Sequence, residues 1–297
     1  MANCRSQGTT GSHGSSGGLI RKNIFQKLTS GLLLTTTFGS ALILSSCQKL
    51  NFDRALQTGI INGTAANGTE PFSNSVVGLA TQSNNAYSIY CSGTLINANT
   101  VVTAAHCLTD MTGQTYVIFG LTASSKILQS RAIVRRAAHE GYLPDSPDDS
   151  KDIFDIGVVQ FDDAAPAGFT PVSILPDESL LKDGSEVLLA GYGVDNGATQ
   201  SHAGTLRYTN VKIQNSGYGR TEIMTDETAT GSCNGDSGGP GMIEVNGKYF
   251  VWGTTSRGDS ACAKDGIYTK ITSYREWIDL KLKDFSESRK SAQTPRP

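Results

Sequence analysis

From Val76 onward the chain alternates short apolar runs with stretches of Gly, Ser, Asn and Asp. The runs are four to eight residues long and rich in β-branched and aromatic side chains, so they read as strands. A first set is Val76–Ala80, Tyr87–Cys91, Gly93–Ile96, Val101–Ala104, Tyr116–Phe119, Arg131–Arg136 and Ile156–Phe161. The one helical feature in this set is a single turn at Ala105–Leu108, and Pro144–Lys151 is a surface loop. An irregular connection, Asp162–Pro176, leads to a second set: Glu186–Gly191, Leu206–Ile213, Glu222–Thr225, Gly239–Glu244, Tyr249–Thr255 and Gly266–Lys270. Asn246-Gly247 is a two-residue hairpin turn between two of these. Ile271–Leu282 changes to helical spacing, with Tyr274, Trp277, Ile278 and Leu282 on one face. Residues 284–297 are polar and expected to be disordered. The class is all-β, and the spacing suggests a sandwich or barrel.

The amino end has a different pattern. Residues 1–18 are rich in Gly, Ser and Thr. Residues 1–47 hold Arg5, Arg21, Lys22 and Lys27 and no acidic residue, so the other 21 basic and all 27 acidic residues lie beyond. The apolar run Leu32–Leu44 is shorter than the roughly 20 residues a membrane span needs, and a basic segment before such a run marks an export signal. Leu44-Ser45-Ser46-Cys47 resembles the lipobox of bacterial lipoproteins, which implies lipidation of Cys47. The alternative is an ordinary secretory signal with Cys47 incidental. Residues 48–59 then form a linker or propeptide. The 297 residues suffice for one large all-β domain or two small ones, and a net charge of −2 argues against a nucleic-acid partner.

Candidate chemistry centres on Gly231-Ser232-Cys233-Asn234-Gly235-Asp236-Ser237-Gly238-Gly239-Pro240. Ser237 is a hydroxyl nucleophile set among glycines that permit a tight turn. If that turn curls, the N–H groups of Gly235 and Ser237 converge as an oxyanion hole. A serine needs a base, and the base needs an orienter. His106, one of four histidines, ends the run Val101-Val102-Thr103-Ala104-Ala105. Asp155 opens Asp155-Ile156-Gly157-Val158-Val159, a buried strand; Asp152 is its rival and does not open that strand. His139 reads as a structural or surface residue and not as a catalytic one.

The motifs TAAHC, DIGV and GDSGGP, in this order, resemble the trypsin/chymotrypsin-like serine proteases, here as a bacterial secreted or lipoprotein member. The resemblance covers Ile60 to about Leu282. It implies two six-stranded antiparallel Greek-key barrels, roughly residues 60–165 and 166–283, followed by a C-terminal helix. It implies His106, Asp155 and Ser237 as catalytic residues and no cofactor or metal. It pairs Cys91 with Cys107 and Cys233 with Cys262, which requires an oxidising compartment.

Ile60-Ile61-Asn62-Gly63 is similar to the family's mature amino terminus, which implies a cut before Ile60 and an ion pair between its new ammonium and Asp236. Gly59 departs from the basic residue that many family precursors carry there, and Arg54 offers a first cut with later trimming. An activating protease is therefore an expected partner, beside protein or peptide substrates and a lipid anchor. The substrate pocket is expected from Gly231, Ser232, Ser256, Gly258 and Gly266. Gly231 stands where the family places its selecting residue and offers no charge, so an uncharged residue is expected before the scissile bond, in an open, deep pocket. Arg257 replaces an aromatic residue of the family's substrate strand and reads as solvated, or else as attracting acidic groups upstream in the substrate. The alternatives to an endopeptidase are a catalytically silent binding module and an esterase on the same fold. The expected location is exported, either membrane-anchored or released after cleavage.

Overall fold

The computed structural model describes residues 60–109, 111–125, 128–144, 146–147 and 150–293. The leader, Cys47 and the linker lie outside these residues. The expected alternation appears as two closed barrels. The first contains β2 (Val76–Ser83), β3 (Ala86–Asn97), β4 (Thr100–Thr103), β5 (Thr115–Phe119), β6 (Gln129–Ala138) and β7 (Gly157–Phe161), ordered β2-β3-β4-β7-β6-β5 and closed by antiparallel β2–β5 pairing. Preceding them is β1 (Thr64–Ala65), and after β4 comes α1 (His106–Thr109).

The second barrel contains β9 (Glu186–Gly191), β10 (Arg207–Asn215), β11 (Glu222–Asp226), β12 (Pro240–Val245), β13 (Lys248–Gly258) and β14 (Asp265–Lys270). Its order is β10-β11-β14-β13-β12-β9, closed by β10–β9 pairing. The short β8 (Ser173–Ile174) adds to β13 in parallel. The chain closes with α2 (Arg275–Gln293).

Alternation along the strands fills each barrel from within. Leu79, Leu95, Val101, Val117, Phe119 and Phe161 meet in the first. Leu189, Val211, Ile213, Ile223, Trp252 and Tyr268 meet in the second. A third cluster joins the barrels and α2 through Val102, Val158, Leu188, Tyr192, Met242 and Ile278. The site lies at this seam, because the end of β4, the start of β7 and the turn before β12 meet there.

Three details differ from the sequence reading. Tyr87–Cys91 and Gly93–Ile96 are one strand, β3, so seven runs make six strands. Ser92-Gly93 looks like a break but is a close-packing point, since a Cβ on Gly93 would lie 2.4 Å from Val101 Cγ1. The first residues belong with the second barrel: Ile61 N–H donates to Gly231 O at 2.8 Å, Ala66 N–H donates to Leu206 O at 3.0 Å, and β1 pairs with β10. Finally, the segment from 284 continues α2 as far as Gln293. Phe285, seven residues after Ile278, is buried and prolongs the apolar face.

Candidate active site

His106 starts α1 just after β4, past Ala104 and Ala105, and Asp155 lies two residues before β7, which pairs with β4. The register Thr103↔Gly157 therefore sets the two side chains together. His106 Nδ1 and Asp155 Oδ2 are 2.8 Å apart, and His106 N–H donates to Asp155 Oδ1 at 3.0 Å. Ser256, on β13, donates its hydroxyl to Asp155 Oδ2 at 2.7 Å. Burial pushes the Asp155 carboxyl up, but the His106 and Ser256 hydrogen bonds and the His106 charge outweigh it and hold the group below its usual range. Burial pushes His106 down, and its bond and charge interaction with Asp155 lift it above its usual value. With Asp155 ionised, the ring proton sits on Nδ1 and Nε2 is left as an acceptor.

Ser237 and His106 face one cleft of about 550 Å³, lined also by Tyr90, Cys91, Asn234 and Gly235. The turn carrying Ser237 needs its glycines. Gly235 has φ +95° and Gly238 φ +76°, and a Cβ on Gly238 would lie 2.0 Å from Thr103 Oγ1. Ser92 N–H donates to Ser237 O at 2.8 Å and Gly238 N–H donates to Thr255 O at 2.7 Å, which pins the turn to both barrels. Among the described residues, neither the Gly235 nor the Ser237 N–H meets an acceptor. Two free backbone donors beside a hydroxyl suit a developing oxyanion. Disulfides Cys91–Cys107 and Cys233–Cys262 brace the segments on either side.

Asp236 is fully buried. It accepts from Gly193 N–H at 2.8 Å and from Cys233 N–H at 3.0 Å. Cβ atoms on Gly191 and Gly193 would fall 2.3 and 2.5 Å from its carboxyl group, so the Gly191-Tyr192-Gly193 turn is shaped to admit this acid. Burial raises Asp236 to about 7. Ile60 is buried as well, at φ +41°, a left-handed conformation that strains a β-branched residue. In the uncut chain its nitrogen is an uncharged amide, and no ion pair with Asp236 is present among the described residues.

The pocket region departs most from expectation. A second cleft, of about 240 Å³, adjoins Ser237 and is lined by Ser232, Thr255, Ser256, Gly258 and Asp265. Gly231 and Gly266 do not open it further. Cβ atoms there would lie 2.3 Å from Glu227 Oε2 and 2.0 Å from Glu227 Oε1, so the Glu227 carboxylate fills the space that these glycines leave. The sequence reading rested on Gly231 offering no charge; the ionisable group at this place is the Glu227 carboxyl, which burial raises above its ordinary value.

Arg257 is likewise not a solvated side chain. Its guanidinium pairs with buried Glu222 through two 2.9 Å contacts, and Glu222 also accepts from the N–H of Asp152 at 2.9 Å. The pair ties β13 to the segment leading to Asp155. Glu222→Ala leaves the partly buried cation unpaired and is expected to lower stability by about 3–5 kcal/mol in urea unfolding. Asp152 itself accepts from Thr221 N–H at 2.7 Å and makes no contact with His106 among the described bonds. His139 packs between Phe154 and Trp277, with ring centroids at 5.3 and 5.1 Å.

A family model described as Trypsin matches residues 60–278. Urokinase-type plasminogen activator of Gallus gallus is 27% identical over 233 residues, covering 69% of this chain and 54% of that protein. Tissue-type plasminogen activator of Mus musculus is 25% identical over 219 residues, covering 65% and 39%. Chymotrypsin-like elastase family member 1 of Canis lupus familiaris is 28% identical over 211 residues, covering 64% and 80%. The chain thus spans about half or less of the length of the two plasminogen activators.

Proposed function

Because the chain belongs to the trypsin family, we propose that it is a serine endopeptidase acting through an acyl-enzyme on Ser237. The observation that carries this is the Ser256–Asp155–His106 network, which leaves His106 Nε2 free in the cleft that Ser237 faces. Ser237 Oγ attacks the scissile carbonyl while His106 takes its proton. The N–H groups of Gly235 and Ser237 receive the oxyanion. His106 then protonates the leaving amine. Water, deprotonated by His106, releases the acyl group and restores the serine. Asp155 holds the imidazole tautomer and offsets the imidazolium charge.

Activation is proposed to follow a cut between Gly59 and Ile60. The freed ammonium supplies the cation that buried Asp236 lacks in the uncut chain. Hydrolysis of that bond also abolishes the φ torsion of Ile60, and with it the +41° strain. The family match beginning at Ile60 supports the same boundary. Gly59 points to an activating protease that does not require a basic residue, or to trimming after a first cut at Arg54. The two disulfides support export, and lipidation at Cys47 is the proposed mode of membrane attachment before release.

The test is amino-terminal sequencing of the mature protein alongside turnover of matched peptide amides and esters. The expected result is a terminus at Ile60 in the active form, with amide cleavage by that form. Ester cleavage without amide cleavage would support the esterase alternative, and turnover of neither would support a silent binding module.

A further inference from the structure

We propose that Glu227 is the specificity-determining residue of the pocket and selects a cationic side chain, lysine or arginine, before the scissile bond. This rests on the serine endopeptidase reading above. Glu227 follows directly after β11 and is buried against Ser232 and Tyr268. Its Oε1 accepts from Thr225 Oγ1 at 2.9 Å and from Tyr268 OH at 3.1 Å. Its Oε2 accepts from Ser232 N–H at 2.6 Å and from the Ser232 hydroxyl at 2.9 Å. The residue is 3% exposed, and every one of these partners is neutral. Among the described residues no Lys or Arg forms a salt bridge with it. A carboxylate buried without a cation is costly, and burial correspondingly raises Glu227 above its ordinary value. A substrate cation supplies what the fold leaves out.

Ser232 connects this acid to the substrate. It lines the 240 Å³ cleft beside Ser237 and also touches Glu227. A serine hydroxyl has one proton and two lone pairs. The proton is committed to Glu227 Oε2, so the lone pairs remain, and the carboxylate behind them strengthens the oxygen as an acceptor. A group rich in N–H donors complements that floor; an aliphatic or acidic group does not.

Charges around the cleft agree. Asp259 and Asp265 lie in its lining, and the one cation there, Arg257, is bound to Glu222. Gly258 lines the same cleft and packs closely on β14, where a Cβ would lie 2.6 Å from Asp265 O.

The experiment uses the mature protein as its producing cells release it. Peptide amides identical except for Arg, Lys, Leu, Ala or Glu before the cut are compared by kcat/KM. Arg or Lys is expected to exceed Leu and Ala by about 10²-fold or more. Glu227→Gln is expected to reduce that ratio to below tenfold, through loss on the cationic substrates. Because a buried variant can fail to fold, a second measurement uses the unaltered protein: protection of Ser237 from a neutral fluorophosphonate by benzamidinium and by uncharged benzamide. Protection by the cation at concentrations at least tenfold lower supports the assignment. Preference for uncharged residues, equal protection by both compounds, or an unchanged ratio in a folded Glu227→Gln protein overturns it. Failure of the fluorophosphonate to label Ser237 at all would instead remove the peptidase reading beneath it.

Discussion

Ser237→Ala is expected to lower kcat toward peptide amides by about 10⁵- to 10⁶-fold without unfolding the protein. The two parts of this expectation have different origins. The Ser237 main chain holds the turn, since Ser92 N–H donates to its carbonyl at 2.8 Å, and Ala keeps that carbonyl. The hydroxyl holds nothing else in place among the described bonds, and in the proposed mechanism it is the group that His106 deprotonates. Once the nucleophile is gone, His106 and Asp155 have no proton to handle, so further changes to them are expected to add little. Steady-state kinetics with matched thermal unfolding checks both halves. Turnover within 10³-fold of the parent protein would mean that another group attacks.

Asp236→Asn is expected to act in opposite directions before and after the cut at Ile60. In the uncut chain, Asp236 is buried with two N–H donors and no ammonium, and burial lifts it from 3.8 to about 7. A folded value above the unfolded one stabilises fully below about pH 3.8, and that stabilisation is lost as pH rises through about 7. The difference corresponds to a loss of about 4 kcal/mol across this window. Asn carries no charge at any pH, so the uncut variant is expected to be more stable than the uncut parent near pH 8 and to lack that slope. After the cut, the same substitution leaves the Ile60 ammonium buried and unpaired. That costs about 3–5 kcal/mol and loosens the Gly235–Ser237 turn, for a fall in kcat/KM of about 10²- to 10³-fold. Urea unfolding of both forms at pH 4 and pH 8, with kinetics on the cut form, reads the reversal. The same sign in both forms would break the link between Ile60 and Asp236.

The strands were legible in the sequence because they announce themselves locally, as apolar runs between turn residues; that pattern left sandwich or barrel open, and the two-barrel arrangement came from the family resemblance. For the candidate triad the local signals differ: His106 follows the run that becomes β4 and Asp155 precedes β7, so Thr103↔Gly157 pairing sets those two together, while Ser237 lies in the glycine-rich turn before β12. What stayed hidden depends on contacts distant along the chain. Ser92-Gly93 has the composition of a turn, and only Val101 packed against Gly93 explains why the strand continues. Arg257 looks like a surface cation until Glu222, 35 positions away, is set beneath it. Glu227 sits in Thr225-Asp226-Glu227-Thr228, a polar stretch with no apolar periodicity to mark it as buried. The available signal was the pair Gly231 and Gly266: two glycines lining one expected pocket leave a void, and in a packed interior a void is filled. Ser256 was visible as a substrate-strand residue, but its bond to Asp155 needed β13 and the segment before β7 to meet. Phe285 carried the signal for the longer helix, seven residues beyond Ile278.

The central claim is that Ser237 is a nucleophile activated by His106. The most direct measurement is mass spectrometry of peptides from the mature protein after treatment with a neutral fluorophosphonate. A single adduct on the peptide containing Ser237, absent from His106→Ala protein that remains folded, is the expected result. An unmodified Ser237 in the mature protein, or equal labelling with His106 replaced, would contradict it.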